Sequence, residues 1–196
     1  PDKNKDFVFN ITENDIVLVK EVKNNIDVRD LEKLARSISD TLSSEFFTKV
    51  NVGIGTPVVG VKDLARSFKE AQTALEVGKV FDTDKNIVSY DNLGIARLIY
   101  HLPTTLCETF LKEVFKKNSI ESLDHETLFT IQKFFENSLN VSETSRKLFV
   151  HRNTLVYRLD KIKKLTGLDL REFDHAIIFK IALMVKKYLA ANPTKF

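Results

Sequence analysis

Between Asn140 and Leu165 the chain reads NVSETSRKLFVHRNTLVYRLDKIKKL. Short hydrogen-bonding side chains, Ser142, Thr144, His151, Asn153 and Thr154, stand here among seven cations and only two acids, Glu143 and Asp160. The cations are Arg146, Lys147, Arg152, Arg158, Lys161, Lys163 and Lys164. The segment therefore carries +5 in a chain whose net charge is +3, and the basic charge is concentrated in one short stretch. Such residue types suit a polyanion with hydrogen-bonding edges. Arginine pairs both major-groove acceptors of guanine, and asparagine pairs adenine. Lysine and arginine beside them neutralise phosphates and hold register. Hydroxyls and free N–H groups at a helix start also bind phosphate.

The local pattern supplies elements to position these groups. Asn140 is an N-cap residue with Glu143 in the third helical position, a capping-box arrangement. The helix that follows, Val141 to Phe149, buries Val141, Ser145 and Leu148, and the small Ser145 permits a close helix crossing. Val150 and His151 form a tight turn. A second helix from Arg152 to Leu165 carries an apolar stripe of Leu155, Leu159, Ile162 and Leu165. Its opposite face offers Arg152, Asn153, Val156, Tyr157, Lys163 and Lys164. A short helix, a turn and a basic helix are the parts of a helix-turn-helix, whose second helix enters the major groove of duplex DNA. His151, Arg152, Asn153, Thr154 and Tyr157 are then base-edge or groove-wall positions. Ser142, Thr144, Arg158, Lys161, Lys163 and Lys164 are phosphate positions, with Lys161 also able to face the protein. A basic amphipathic helix is also a common solvated face, and it can dock a protein partner instead. The short polar residues clustered at one bend favour the DNA reading.

The run from Asn140 to Leu170, ending TGLDL, resembles the C-terminal helix-turn-helix of the PucR/CdaR family of bacterial transcriptional regulators. Its turn and second helix also resemble the Fis type. Upstream, GIGTPVVGVKDLARSFKEAQTAL resembles the end of the degenerate GGDEF-like domain that precedes this helix-turn-helix. The resemblance is strong over 139–170 and weak before residue 50. It implies an α+β chain with a GGDEF-like α/β domain at 1–91, a helical linker at 92–123 and an all-α DNA-binding domain at 124–196. It also implies a cytoplasmic, sequence-specific regulator of double-stranded DNA with no cofactor and no membrane partner. Its effector would be a small metabolite sensed upstream of this segment. Two positions depart from the family pattern. Val156 stands where relatives often carry Arg, and Asp160 stands where a basic residue is common; both bear on the DNA site.

The rest of the chain narrows the classes. It has 196 residues, 43% hydrophobic, with six Gly and four Pro, an ordinary globular composition. Asp6–Asn10 and Asp15–Val22 read as a hairpin, Asp30–Phe47 as a helix, Thr48–Gly55 as a strand, Val61–Val80 as a helix and Ile87–Tyr90 as a strand. The order ββαβαβ predicts one sheet covered by helices. From Leu93 onward only helical periods occur, through Leu93–Leu102, Thr104–Lys117, Asp124–Leu139 and Asp174–Ala191. The last helix is apolar around much of its circumference, which suits a core position and also a homodimer interface for paired half-sites.

A nucleotide-cyclase reading of the first half needs a Gly-rich turn and metal-binding acids. The hairpin turn Asn10–Asp15 has no Gly pair, so Glu13 and Asp15 read as solvated turn residues, and the domain reads as a catalytically dead docking or sensing module. Cys107, the one cysteine, allows no internal disulfide and reads as a small buried hydrophobe. His101, His125 and His175 lack metal spacing. Gly53-x-Gly55 is too short for a dinucleotide motif and marks a strand end. Ala176–Val185 is too short to span a bilayer. No signal peptide is visible, and a start at Pro1 without Met reads as a fragment of a longer protein or as a processed chain.

Overall fold

In the computed structural model, which describes residues 5–81, 85–115 and 123–192, the chain divides into two units, 1–94 and 95–196. The first unit is mixed α/β. Strands β1 (Phe7–Asn10) and β2 (Ile16–Val19) pair antiparallel, Phe7 opposite Val19 and Asn10 opposite Ile16. Thr12 closes their turn. Its Oγ1 accepts the Asn14 and Asp15 N–H groups at 3.2 and 3.1 Å and donates to the Asp15 carboxylate at 2.8 Å. The acid expected to be a solvated turn residue thus also ties the turn together, as such side chains do.

Helix α1 (Val28–Phe46) starts at Asp27, whose carboxylate accepts the Arg29 N–H at 2.7 Å. Strand β3 (Val52–Ile54), helix α2 (Leu64–Phe81) and strand β4 (Ile87–Ser89) follow, and β3 and β4 pair in parallel. Parallel neighbours need a crossover, and α2 is that crossover. Gly53 and Gly55 explain themselves here. A Cβ on either would strike a carbonyl oxygen of α2, on Ala71 or Ser67. Both glycines exist so that the strand can lie against the helix. The single sheet expected from the ββαβαβ order is not formed among the described residues. The strands make two separate two-stranded ladders, β1–β2 and β3–β4. Alternation marks a strand but leaves its partner open when the pairing is long-range.

The second unit is all-helical among its described residues. It comprises α3 (Ile95–Tyr100), α4 (Thr104–Val114), α5 (His125–Glu136), α6 (Val141–Lys147), α7 (Arg152–Thr166) and α8 (Phe173–Ala191). Its core joins Ile131 and Phe134 of α5, Leu155, Leu159 and Ile162 of α7, Leu170, and Phe179 and Ala182 of α8. The α7 stripe is therefore core, as its spacing predicts. Burying side chains of this size stabilises by about 1.5–3 kcal/mol each before the entropy of ordering is counted.

The breadth of apolar surface on α8 has an internal cause. Phe179 and Ala182 of α8 share one core with residues of α5 and α7, and α3 and α4 pack against α8 as well. Tyr188 donates its hydroxyl to the Leu102 carbonyl at 3.2 Å and meets Tyr100 edge-on, and Phe115 meets Phe179 in the same way. Cys107 is buried, and burial pushes its thiol pKa up, in keeping with a packing role. Among the described residues no helix is long and apolar enough to cross a membrane.

Candidate nucleic-acid interface

Asn140 starts α6 by accepting the Glu143 N–H on its side chain at 2.9 Å. The reciprocal half of the capping box is not made. The Asn140 N–H goes to the Asn137 carbonyl, and Glu143 pairs with Arg146 at 3.4 Å. Ser145 is buried where α6 crosses α7. The helix ends at Lys147, two residues earlier than its apolar pattern suggests. Phe149 takes φ 55°, its N–H bonds the Arg146 carbonyl, and the Val150 N–H bonds the Ser145 carbonyl. That pair of bonds is a Schellman ending with Phe149 in the left-handed position.

His151 then caps α7, its Nδ1 accepting the Asn153 N–H at 3.2 Å. This ring is a structural cap as well as a groove candidate. Arg152, Asn153 and Thr154 fill the first turn of α7 and are all exposed. Tyr157 follows one turn later, 71% exposed. None of these four side chains has a partner among the described residues. The structure thus gathers the expected base-reading positions on the open end of one helix whose opposite face is locked into the core.

The expected phosphate positions divide. Ser142 is exposed near the start of α6, and Lys164 is exposed on α7. Thr144 is 0% exposed and its Oγ1 has no hydrogen-bond partner among the described residues, so it faces the interior. The Arg158 guanidinium is part-buried and bonds Glu126 and, at 3.3 Å, Thr130 Oγ1, both on α5. Lys161 meets Asp124 at 3.4 Å, and Lys163 meets Asp169 at 3.1 Å.

Asp169 is the hub of a network that sequence reading misses. Arg171 donates to it through Nε at 2.7 Å, Nη2 at 2.8 Å and its backbone N–H at 3.1 Å. The same guanidinium reaches Asp160 at 2.7 Å. Asp160, read as weakening the positive face, is thus matched by a cation from beyond the helix. The Arg171 hydrogen bonds hold the Asp169 carboxyl well below the usual carboxylate range, despite its burial. The ion pairs of Asp124, Glu126 and Asp169 with α7 join residues well apart in sequence or across a turn, so spacing alone carries no signal for them. Among the described residues no group of three His, Cys, Asp or Glu side chains is placed to hold a metal ion.

A helix-turn-helix on a helical core, preceded by a small α/β unit, is the class that this geometry defines. Two family models match the chain accordingly, a GGDEF-like domain over residues 2–77 and the PucR C-terminal helix-turn-helix domain over 127–185. Over these two regions the chain is similar to the PucR/CdaR type of regulator. It is 27% identical over 190 residues to the carbohydrate diacid regulator of Escherichia coli, covering 94% of this chain and 49% of the relative. Over 150 residues it is 26% identical to the purine catabolism regulatory protein of Bacillus subtilis, covering 76% and 28%. It is also 26% identical over 185 residues to the DNA-binding transcriptional activator AdeR of the same organism, covering 90% and 42%. The chain spans about half the length of these curated relatives, or less.

Proposed function

We propose that this chain is the DNA-reading part of a bacterial transcriptional regulator and that α7 is its recognition helix. The carrying observation is the set Arg152, Asn153 and Thr154, exposed and unpartnered among the described residues, in the first turn of a helix whose Leu155, Leu159 and Ile162 are wholly buried. Rigid placement of a few polar side chains at a helix start is what base readout requires. Arg152 and Asn153 read bases, and His151, Thr154 and Tyr157 line the groove wall. Ser142 and Lys164 hold phosphates.

Arg158, Lys161 and Lys163 contribute their field while tied to carboxylates. Arg158 serves mainly as a strut between α5 and α7. Thr144 acts from inside, through packing. The relatives named as regulators support this reading and a role without catalysis. The protein works in the cytoplasm as a homodimer on two half-sites, a reading that rests on the symmetry of helix-turn-helix sites. A small-molecule effector acts through a region outside this segment. Binding to a duplex pool in a salt series tests the assignment. DNA binding through even a few cations weakens with salt, whereas an apolar docking surface for a protein does not.

A further inference from the structure

We infer that Phe149 is a further DNA contact of this site, through its ring lying on an apolar nucleotide surface. The inference rests on the DNA-reading assignment above. Two observations at one residue motivate it. Phe149 is 96% exposed, so its ring gains nothing from burial in the folded unit. It also sits at φ 55°, the left-handed position of the α6 ending, which favours glycine. The same chain places Gly167 at φ 80° where α7 ends. For folding alone, Gly or Asn serves the turn better than Phe, which brings both backbone strain and an exposed ring.

The surroundings identify the partner. Phe47 ends α1 in a similar left-handed, exposed state, but no basic recognition helix follows it there. Phe149 stands between Arg146 and Lys147, both exposed, and the open first turn of α7. A ring flanked by cations and by unpartnered hydrogen-bonding groups matches a nucleotide, which offers phosphates, base edges and apolar patches together. Those patches are the thymine 5-methyl group and the deoxyribose C–H surface, and phenylalanine is one of the side chains that packs on the former. A strained exposed residue at a candidate site is the kind of conflict between fold and function expected where function is served.

The test uses the whole 196-residue chain and a duplex enriched by it from a random pool. Phe149→Asn and Phe149→Gly both suit the left-handed backbone and remove the ring. Each is expected to keep or raise the melting temperature and to weaken binding to the enriched duplex by roughly tenfold, the value of burying part of one aromatic ring. Replacing thymines by deoxyuridine separates the two surfaces. If the ring lies on a methyl group, one such replacement weakens the wild type but not Phe149→Asn. If it lies on the sugar, both duplexes show the same loss with the variant. Unchanged affinity of both variants, alongside an enriched motif that Arg152→Ala loses, overturns the inference and leaves the DNA assignment standing. Failure of the wild type to enrich any motif overturns both.

Discussion

Arg152 is the side chain on which base reading by α7 depends most. It is exposed, unpartnered among the described residues, and placed in the first turn of α7. Arg152→Ala is expected to cost about 1–3 kcal/mol on the cognate duplex and less on random DNA. Titrations on both duplexes decide it, because an equal loss would make Arg152 a phosphate contact. Thr144 makes the opposite prediction. Its hydroxyl is buried without a partner among the described residues, and an unpaired buried hydroxyl costs about 1–3 kcal/mol. Thr144→Val is expected to raise unfolding stability by about 1 kcal/mol and leave DNA affinity unchanged. Loss of affinity in a stable Thr144→Val protein would restore Thr144 as a phosphate contact. Residue types alone put Thr144 beside Ser142 as one of a pair of hydroxyls. Only the turn of α6 about its axis separates an inward residue from an outward one.

At the scale of elements, the middle and the C-terminal half of the basic helix are held by acids outside it, and its first turn is left open. Asp124 and Glu126 reach it from α5 and its cap, and Asp169 with Arg171 reaches it from the connection to α8. Asp169→Ala leaves the Arg171 guanidinium and the Lys163 ammonium without their buried partner. Since both cations keep some solvent exposure, the expected loss is about 2 kcal/mol, below that of a fully buried pair.

The pH dependence has a definite sign. The Asp169 pKa is depressed in the folded state, so its contribution is present above the unfolded carboxyl value and is lost as pH falls through the acid range. Thermal unfolding from neutral pH down to about pH 3 is expected to show a shallower fall for Asp169→Asn than for the wild type, since Asn has no carboxyl to protonate. Parallel curves would remove the ion network from the account. The helices themselves were legible in the sequence, because Leu155, Leu159 and Ile162 keep helical spacing and Asn140 announces a start. Their ion pairs were not, since Arg158 finds Thr130 and Lys161 finds Asp124 across 28 and 37 residues. The β1–β2 hairpin was legible from its short turn, but the same limit left the parallel β3–β4 pairing and the separation into two ladders unread.

For the whole molecule, charge placement matters more than net charge. A chain of only +3 concentrates its cations around α6 and α7, and a polyanion meets that field first. Several of those cations are already paired with carboxylates, so fewer phosphates are neutralised than the cation count suggests. Binding is expected to weaken with salt, with a slope corresponding to only a few phosphate contacts. Removing Lys164 by Lys164→Ala should lower that slope by about 1 without changing the preferred sequence. A preference that shifts with Lys164→Ala would instead make Lys164 a base contact.

The most direct test of the central claim is selection of bound duplexes from a random pool by the wild-type chain and by an Arg152→Ala/Asn153→Ala variant in parallel. The wild type is expected to enrich a motif, two-fold symmetric if the chain pairs, that the folded variant no longer selects. A folded wild type that selects no motif, or a variant that selects the same one, would contradict α7 as the recognition helix.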